Sequence, residues 1–402
     1  MRVLLFTDTL ADVNGVSRFI INLAEHARAT GHDLHVATST RFACPKAANI
    51  HNLKPLAAVR MPGYPNLDLA LPPWRRMLAL ARELKPDAIH ISTPGPVGCV
   101  GRLAAKKLRV PLLGVYHTDF PAYIDRLFEN ELFTSISRQC MRTFYRPFTT
   151  LFPRSTDYVG AVRALGIRAD ILPLRPGITL DRFHPRFRDP AIWLTHGSRQ
   201  PPHALRILYV GRLSIEKNMP LLAAIWRDAD ALLQQQNIPA ELVIVGDGPF
   251  RAQLEQSLEN TRTLFLGFRY NDALSRLYAS SDLFLFPSVT DTLGQVVMEA
   301  QASGLPALVT DQGGPKELVV NARTGFVLPA ADPAVWVRSI NDLCANPTQR
   351  RVMSAEAHDH LQQFSMAASF DQWWSVHEQP LSGRASHPGR APIVETTSAC
   401  SA

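Results

Sequence analysis

The sequence predicts an α/β protein of two doubly wound domains. Three observations carry the prediction. A chain of 402 residues holds material for two cores. Arg2 to Phe6 is apolar on both faces, as a central parallel strand is. It leads through the loop Thr7 to Gly15 into an amphipathic helix, Val16 to Thr30, and a second strand, Leu34 to Thr38. The same alternation restarts in the second half with the strand Leu205 to Val210.

Composition narrows the class. The apolar fraction of 46% and charged fraction of 19% are those of a soluble globular protein. No apolar run reaches the roughly 20 residues of a membrane-spanning helix, and Met1 to Phe6 reads as a strand rather than a secretory signal. Cys44, Cys99, Cys140, Cys344 and Cys400 are scattered without ligand spacing, so neither metal nor disulfide is expected and a reducing cytoplasm fits. Residues 1–190 hold 26 Lys+Arg against 15 Asp+Glu, and the remainder 16 against 20, so the net +7 divides into a basic first half and a mildly acidic second. A basic half meets nucleic acid or an anionic membrane surface. No nucleic-acid-binding module accompanies it.

In the first half, Asn14-Gly15 precedes a helix start, where small residues either let the backbone approach an anion or simply make a βα turn. Residues 45–76 are Pro-rich and irregular. A helix over Leu78 to Leu84, a strand over Asp87 to Ile91, a helix to Leu108 and a strand over Pro111 to Tyr116 follow. His117 stands at the carboxyl end of that strand, where open α/β sheets place ligands; a lone histidine is otherwise structural. Residues 126–156 read as a long helical region divided at Pro147. Phe128, Leu132, Phe133, Ile136, Cys140, Phe144 and Phe148 recur on one stripe, and Arg138, Arg142 and Arg146 on another, with Arg154 beyond. Either the phenylalanines face the core and the arginines are solvated, or the helix rests on an anionic leaflet. Strands are expected over Asp157 to Ala161 and Asp170 to Leu174. The first domain is placed at residues 1–180, with a polar linker at 181–203.

The second domain, 204–364, opens with Leu205 to Val210 and the loop Gly211 to Asn218. Arg212 and Lys217 in that loop suit the charge that builds on a departing phosphate; as solvated loop charges they would mean nothing. Glu241 to Val245 ends in the turn Gly246-Asp247-Gly248-Pro249, and Thr263 to Phe268 is a further strand. The most informative stretch runs from Asp282 to Thr310. A buried strand stops at Pro287, a polar loop presents Asp291, Gly294 opens a helix carrying Glu299, and Gly304 and Pro306 end it before the next strand. The helix start offers the N–H groups of Gly294, Gln295 and Val296 to a phosphate. One acid can grip sugar hydroxyls and the other a ribose diol. The plain alternative is an ordinary βαβ unit with two surface acids. A final helix at 365–378 returns to the first domain, and 379–402 reads as a disordered tail.

These motifs resemble the signature of family-4 retaining glycosyltransferases of the GT-B fold. Asp291, seven residues, then Glu299-Ala300-Gln301-Ala302-Ser303-Gly304-Leu305-Pro306 matches the family's paired acids, with Asp where its first acid is usually Glu. Gly211-Arg212-Leu213 with Lys217-Asn218, the Gly246 to Pro249 turn, Gly313-Gly314 with Glu317, and Thr324-Gly325-Phe326 recur in the family's order. The wording around Asp291 is closest to the branch with lipid-directed mannosyltransferases and sulfoquinovosyl-diacylglycerol synthase. The resemblance implies two Rossmann-like doubly wound domains facing a cleft. The second would bind a nucleotide-sugar, GDP-mannose or a UDP-hexose, and the first an acceptor.

It assigns catalysis to His117, Asp291, Glu299, Arg212 and Lys217. Donor contacts fall to Gly15, Arg212, Lys217, Gly246, Gly248, Phe268, Gly294, Gln295, Val296 and Glu299. The implied acceptor is a glycerolipid or phospholipid at the cytoplasmic membrane face, with the enzyme peripheral there. A polysaccharide or soluble acceptor, or a sugar-nucleotide epimerase, is the alternative. No cofactor or essential metal is expected, since Asp228 and Asp230 have ligand spacing but lie on a presumed surface helix. A dinucleotide oxidoreductase is excluded, because neither half has G-x-G-x-x-G after a strand.

Overall fold

The computed structural model describes residues 1–11, 15–61, 64–117, 121, 125 and 130–382. The first domain contains β1 (Arg2–Thr7), β2 (Asp33–Thr38), β3 (Ile50–Asn52), the hairpin β4 (Ala57–Met61) and β5 (Tyr64–Leu71), then β6 (Ala88–Ile91), β7 (Leu112–Tyr116), β8 (Thr150–Pro153) and β9 (Asp170–Ile171). Its helices are α1 (Gly15–Thr30), α2 (Trp74–Leu84), α3 (Pro96–Leu108), α4 (Glu131–Tyr145) and α5 (Asp157–Ala164). Seven strands pair in parallel in the order β3-β2-β1-β6-β7-β8-β9.

The alternation of β1 explains the double winding. Val3 and Leu5 pack in one cluster with Phe19, Ile20 and Leu23 of α1, whereas Leu4 and Phe6 pack in another with Met77 of α2 and Val97 of α3. Successive side chains point to opposite faces, so an unbroken apolar strand demands a layer of helices on each side.

The second domain repeats the plan with β10 (Leu205–Val210), β11 (Ala240–Val245), β12 (Thr263–Gly267), β13 (Leu283–Phe286), β14 (Ala307–Thr310) and β15 (Gly325–Leu328). Its helices are α6 (Ile192–Thr195), α7 (Met219–Gln235), α8 (Arg251–Ser257), α9 (Asn271–Ser280), α10 (Gln295–Ala302), α11 (Pro333–Ala345) and α12 (Pro347–Leu361), and α13 (Met366–Ser382) follows. The parallel order is β12-β11-β10-β13-β14-β15. In each sheet the order reverses beside the domain's first strand, which opens a crevice at the carboxyl ends. The two crevices face each other.

The chain crosses between domains twice, and the crossings are tied together. Ile178 N–H donates to the Phe364 carbonyl at 2.9 Å, Met366 N–H to Ile178 at 3.0 Å, and Ser369 Oγ to the Arg175 carbonyl at 2.6 Å. From there α13 lays Phe370, Trp373 and Trp374 into the first domain's core. His377 of α13 and His90 of β6 share a hydrogen bond of 2.9 Å in that buried layer, and burial lowers both imidazole pKa values.

Several elements differ from the sequence reading. The region 126–156 is not one helical stretch: α4 ends at Tyr145 and Thr150–Pro153 is a buried strand, while 126–129 lie outside the described residues. A four-residue apolar run carries no periodicity that separates strand from helix, and β8 is defined by its neighbours β7 and β9. Asp157 to Ala161 belongs to helix α5 rather than a strand, because the chain leaving β8 must cross back to reach β9 in parallel. The irregular segment 45–76 contains β3 and the β4–β5 hairpin. The linker at 181–203 packs on the second domain: Trp193 is buried and Arg188 bonds the Ala279 and Ser281 carbonyls. Asp230 is not on a solvated face. It is 1% exposed and pairs with Arg262 at 2.6 Å. The expected tail starts later, since α13 runs to Ser382, and 383–402 lie outside the described residues.

Candidate active site

The loop between β13 and α10 holds both acids. Gly294 caps α10 at φ +84, and a Cβ there would sit 2.9 Å from Pro315. Only glycine fits that left-handed, crowded turn. No side chain caps the helix, so its first N–H groups remain available to an anion. Five residues into the helix, Glu299 is fully buried. Its Oε1 accepts from the Arg18 guanidinium across the cleft and its Oε2 from Tyr278 OH at 3.0 Å.

Asp291 meets the other cation. Lys217 Nζ reaches both of its carboxylate oxygens at 2.7 Å, and Ser288 Oγ donates to one of them. Lys217 is placed by the single turn Ile215–Lys217 that follows β10, and Asn218 ends that turn at φ +59. Arg212 in the same loop pairs with Glu216 at 3.2 Å and keeps about a third of its side chain exposed (37%). Two cations, two carboxylates and a helix start thus converge at the carboxyl end of β10 and β13. A diphosphate with a sugar on each side carries the complementary pattern of charge and hydroxyls.

The turn at Gly246 to Pro249 supports that loop. A Cβ on Gly246, at φ +144, would lie 1.8 Å from the Gly211 carbonyl, and one on Gly248 would lie 2.3 Å from that of Leu213. These glycines let β11's exit press on the backbone that carries Arg212. Phe268 is half-exposed at the end of β12, the sheet's edge strand, and stacks on Tyr270.

The first domain faces this with Gly15 and His117. A Cβ on Gly15 would be 3.8 Å from Gln295 Cβ, so the two helix starts meet across the cleft. His117 is 8% exposed, bonds Ser92 Oγ through Nε2 at 2.9 Å, and its carbonyl accepts from Thr292 Oγ1 at 2.7 Å. Burial, and then the neighbouring Arg154 cation, push its imidazole pKa well below the usual range. Asn14 and 118–120 lie outside the described residues.

Of the residues singled out from the sequence, the structure brings Lys217 against Asp291, Glu299 against Arg18 of the first domain, Gly15 against Gln295, and His117 against the loop that carries Asp291. Arg18, Tyr278, Ser288 and Thr292 escaped that reading. Arg18 had a local signal, one turn into the helix that starts at Gly15. The others are hydroxyls recognisable only once their partners are placed: carboxylates for Tyr278 and Ser288, the His117 carbonyl for Thr292. Arg154 was grouped with the surface arginines, and the structure corrects this: it is 4% exposed at the cleft end of β8. No group of His, Cys, Asp and Glu suited to a metal occurs among the described residues.

The model of "Glycosyltransferase Family 4" matches residues 13–182, and that of "Glycosyl transferases group 1" matches residues 197–360. The chain is 32% identical over 328 residues to a GDP-mannose-dependent alpha-mannosyltransferase of Mycobacterium tuberculosis, covering 80% of this chain and 82% of that one. It belongs to this glycosyltransferase family. The glycosyltransferase is also 29% identical to sulfoquinovosyl transferase SQD2 of Arabidopsis thaliana over 92% of its own length and 71% of the relative's. Its fold matches sucrose-phosphate synthase of Thermosynechococcus elongatus with a TM-score of 0.76 at 18% identity, over 95% of this chain and 99% of the other. The fold is GT-B, and the enzyme is a hexosyltransferase that uses a nucleotide-sugar.

Proposed function

We propose that this glycosyltransferase moves a hexose with retention of configuration from GDP-mannose or a UDP-hexose to a glycerolipid or phospholipid at the cytoplasmic membrane face. The observation that carries the reading is the convergence on one crevice of Lys217, Arg212, Asp291, Glu299 and the α10 start, opposite His117. In this reading Glu299 exchanges Arg18 for the ribose diol. Lys217, Arg212 and the N–H groups at Gly294 to Val296 hold the diphosphate as it departs. Asp291 holds the hexose, and His117 lies near its anomeric carbon. The relative named for GDP-mannose makes that donor the first to try.

No metal is needed in this scheme, because Lys217, Arg212 and backbone N–H groups supply the positive charge. The test is incubation of the purified protein with GDP-mannose and UDP-hexoses in the presence of lipid vesicles, with products read by mass spectrometry. A hexosyl lipid should form and turnover should survive EDTA. Loss with chelator and rescue by Mn²⁺ or Mg²⁺ would count against the metal-free scheme, and a free epimerised sugar nucleotide against transfer.

The lipid acceptor is supported by α4. Its inner face buries Thr134, Met141, Phe144 and Tyr145, while Leu132, Phe133 and Ile136 are exposed at 65%, 48% and 51%. Arg138, Arg142 and Arg146 lie on the opposite flank of the same exposed surface. Apolar side chains beside arginines suit an anionic leaflet, at about 1 kcal/mol per cation near the surface. The β4–β5 hairpin adds Val59, Leu69 and Leu71, all exposed. No helix among the described residues is long and apolar enough to cross a membrane, so the attachment proposed is peripheral. Liposome flotation should show binding that requires anionic lipid, falls with salt and drops when Arg138, Arg142 and Arg146 become Ser together. Indifference to such liposomes, with good turnover of a soluble acceptor, would remove the lipid assignment.

A further inference from the structure

Arg154 presents an imbalance that the scheme above does not use. It follows β8 at the carboxyl end of the first sheet and is 4% exposed, yet no carboxylate pairs with it among the described residues. The face of its guanidinium lies over the Phe19 ring at 4.2 Å, and its buried Nη1 meets no hydrogen-bond acceptor. The next residue, Ser155, has a buried hydroxyl that is equally unmatched. Burial pushes the Arg154 pKa down to about 9, the sign of a cation without a counter-charge. Among the described residues the other buried arginine, Arg206, stands beside Glu241 at 3.4 Å.

An unpaired buried guanidinium is costly. A fold keeps one where the missing anion arrives from outside. The position says which molecule brings it. Arg154 is on the first domain, close enough to His117 to lower its pKa. The chain just beyond it is tied to the second domain: Thr156 bonds Glu317 through N–H at 3.0 Å and Oγ1 at 2.7 Å, and Tyr158 OH reaches the Thr290 carbonyl at 3.5 Å. The donor diphosphate has its own cations, Arg212 and Lys217, on the far wall.

We propose that Arg154 is the receptor for an anionic group on the acceptor, a phosphate ester in the first instance, held beside His117 by Nη1 with Ser155 Oγ as a second donor. The proposal rests on the transferase reading and deepens it. It favours a phosphate-bearing acceptor over neutral diacylglycerol.

Calorimetry on the full chain tests it, with the donor site first saturated by GDP or UDP and glycerol 3-phosphate then titrated. Wild type should bind the phosphate ester. R154M should bind it about tenfold more weakly or worse, the loss expected of a charge-assisted contact, while its nucleotide affinity stays unchanged. R154M should also melt no lower than wild type, since a buried charge has been removed; a merely structural guanidinium would give a lower melting temperature. Should R154M fail to fold, R154K keeps the charge and loses the fork, and should bind the ester more weakly than wild type. Equal ester binding by wild type and a folded variant overturns the proposal, as does no binding by wild type. A loss confined to nucleotide affinity would move Arg154 to the donor and overturn it too. Failure of wild type to bind any nucleotide strikes the donor reading instead, and the ester titration is still read by the difference between wild type and variant.

Discussion

Glu299→Ala is expected to lower kcat/KM for hexosyl transfer by roughly 10²-fold or more, the usual consequence of losing a charge-assisted contact in a water-excluded site. Glu299 is fully buried, and its two oxygens are the acceptors for Arg18 and Tyr278. The alanine therefore also strands the buried Tyr278 phenol, at about 1–3 kcal/mol of stability, while the Arg18 guanidinium, 37% exposed, can turn to water. Glu299→Gln separates the two effects. The amide keeps an acceptor for Tyr278 and the volume of the side chain, so the protein should stay close to wild-type stability while the ribose loses its anionic partner. Steady-state kinetics beside a thermal melt measure both. Near wild-type turnover in a folded glutamine variant would mean the ribose is held elsewhere.

Lys217→Ala should be as damaging to turnover and far gentler to the fold. The Lys217–Asp291 pair is partly open to water, with side chains 17% and 21% exposed, and such pairs add little to stability. In the proposed scheme the variant removes the cation between the sugar-binding acid and the leaving group, again about 10²-fold in rate. It also releases Asp291 to Ser288 alone. Lys217→Arg restores charge on a longer, planar head and should recover only part of the rate. The decisive comparison is kcat/KM against melting temperature. A variant that melts as wild type and turns over as wild type would exclude Lys217 from the diphosphate site.

Much of this site was legible because the residues carrying charge sit where strands end. Arg212 and Lys217 follow one apolar strand, and Asp291, Gly294 and Glu299 follow another, so the parallel sheet brings them together without further information. Gly246 and Gly248 could be noticed in the sequence but not explained. Their requirement comes from the carbonyls of Gly211 and Leu213, thirty-odd residues away along the chain. The partner of Arg18 and the burial of Arg154 were invisible for a different reason. A helix position predicts a face, but not that the face meets a carboxylate of the other domain. An arginine in an aromatic-rich stretch reads as surface until β8 is recognised. The missed strand at Thr150–Pro153 and the misplaced Arg154 are one error: a run of four buried residues is too short a pattern to declare its period.

The central claim is that the crevice between the domains holds a nucleotide with its ribose on Glu299 and its diphosphate on Lys217 and Arg212. Calorimetric titration of GDP and UDP into metal-free wild type and Glu299→Gln tests it most directly. Saturable binding of one nucleotide to wild type, without added cation and with a marked loss in the glutamine variant, is the predicted result. Equal affinity in the two proteins, or no binding of either nucleotide to wild type, would contradict it.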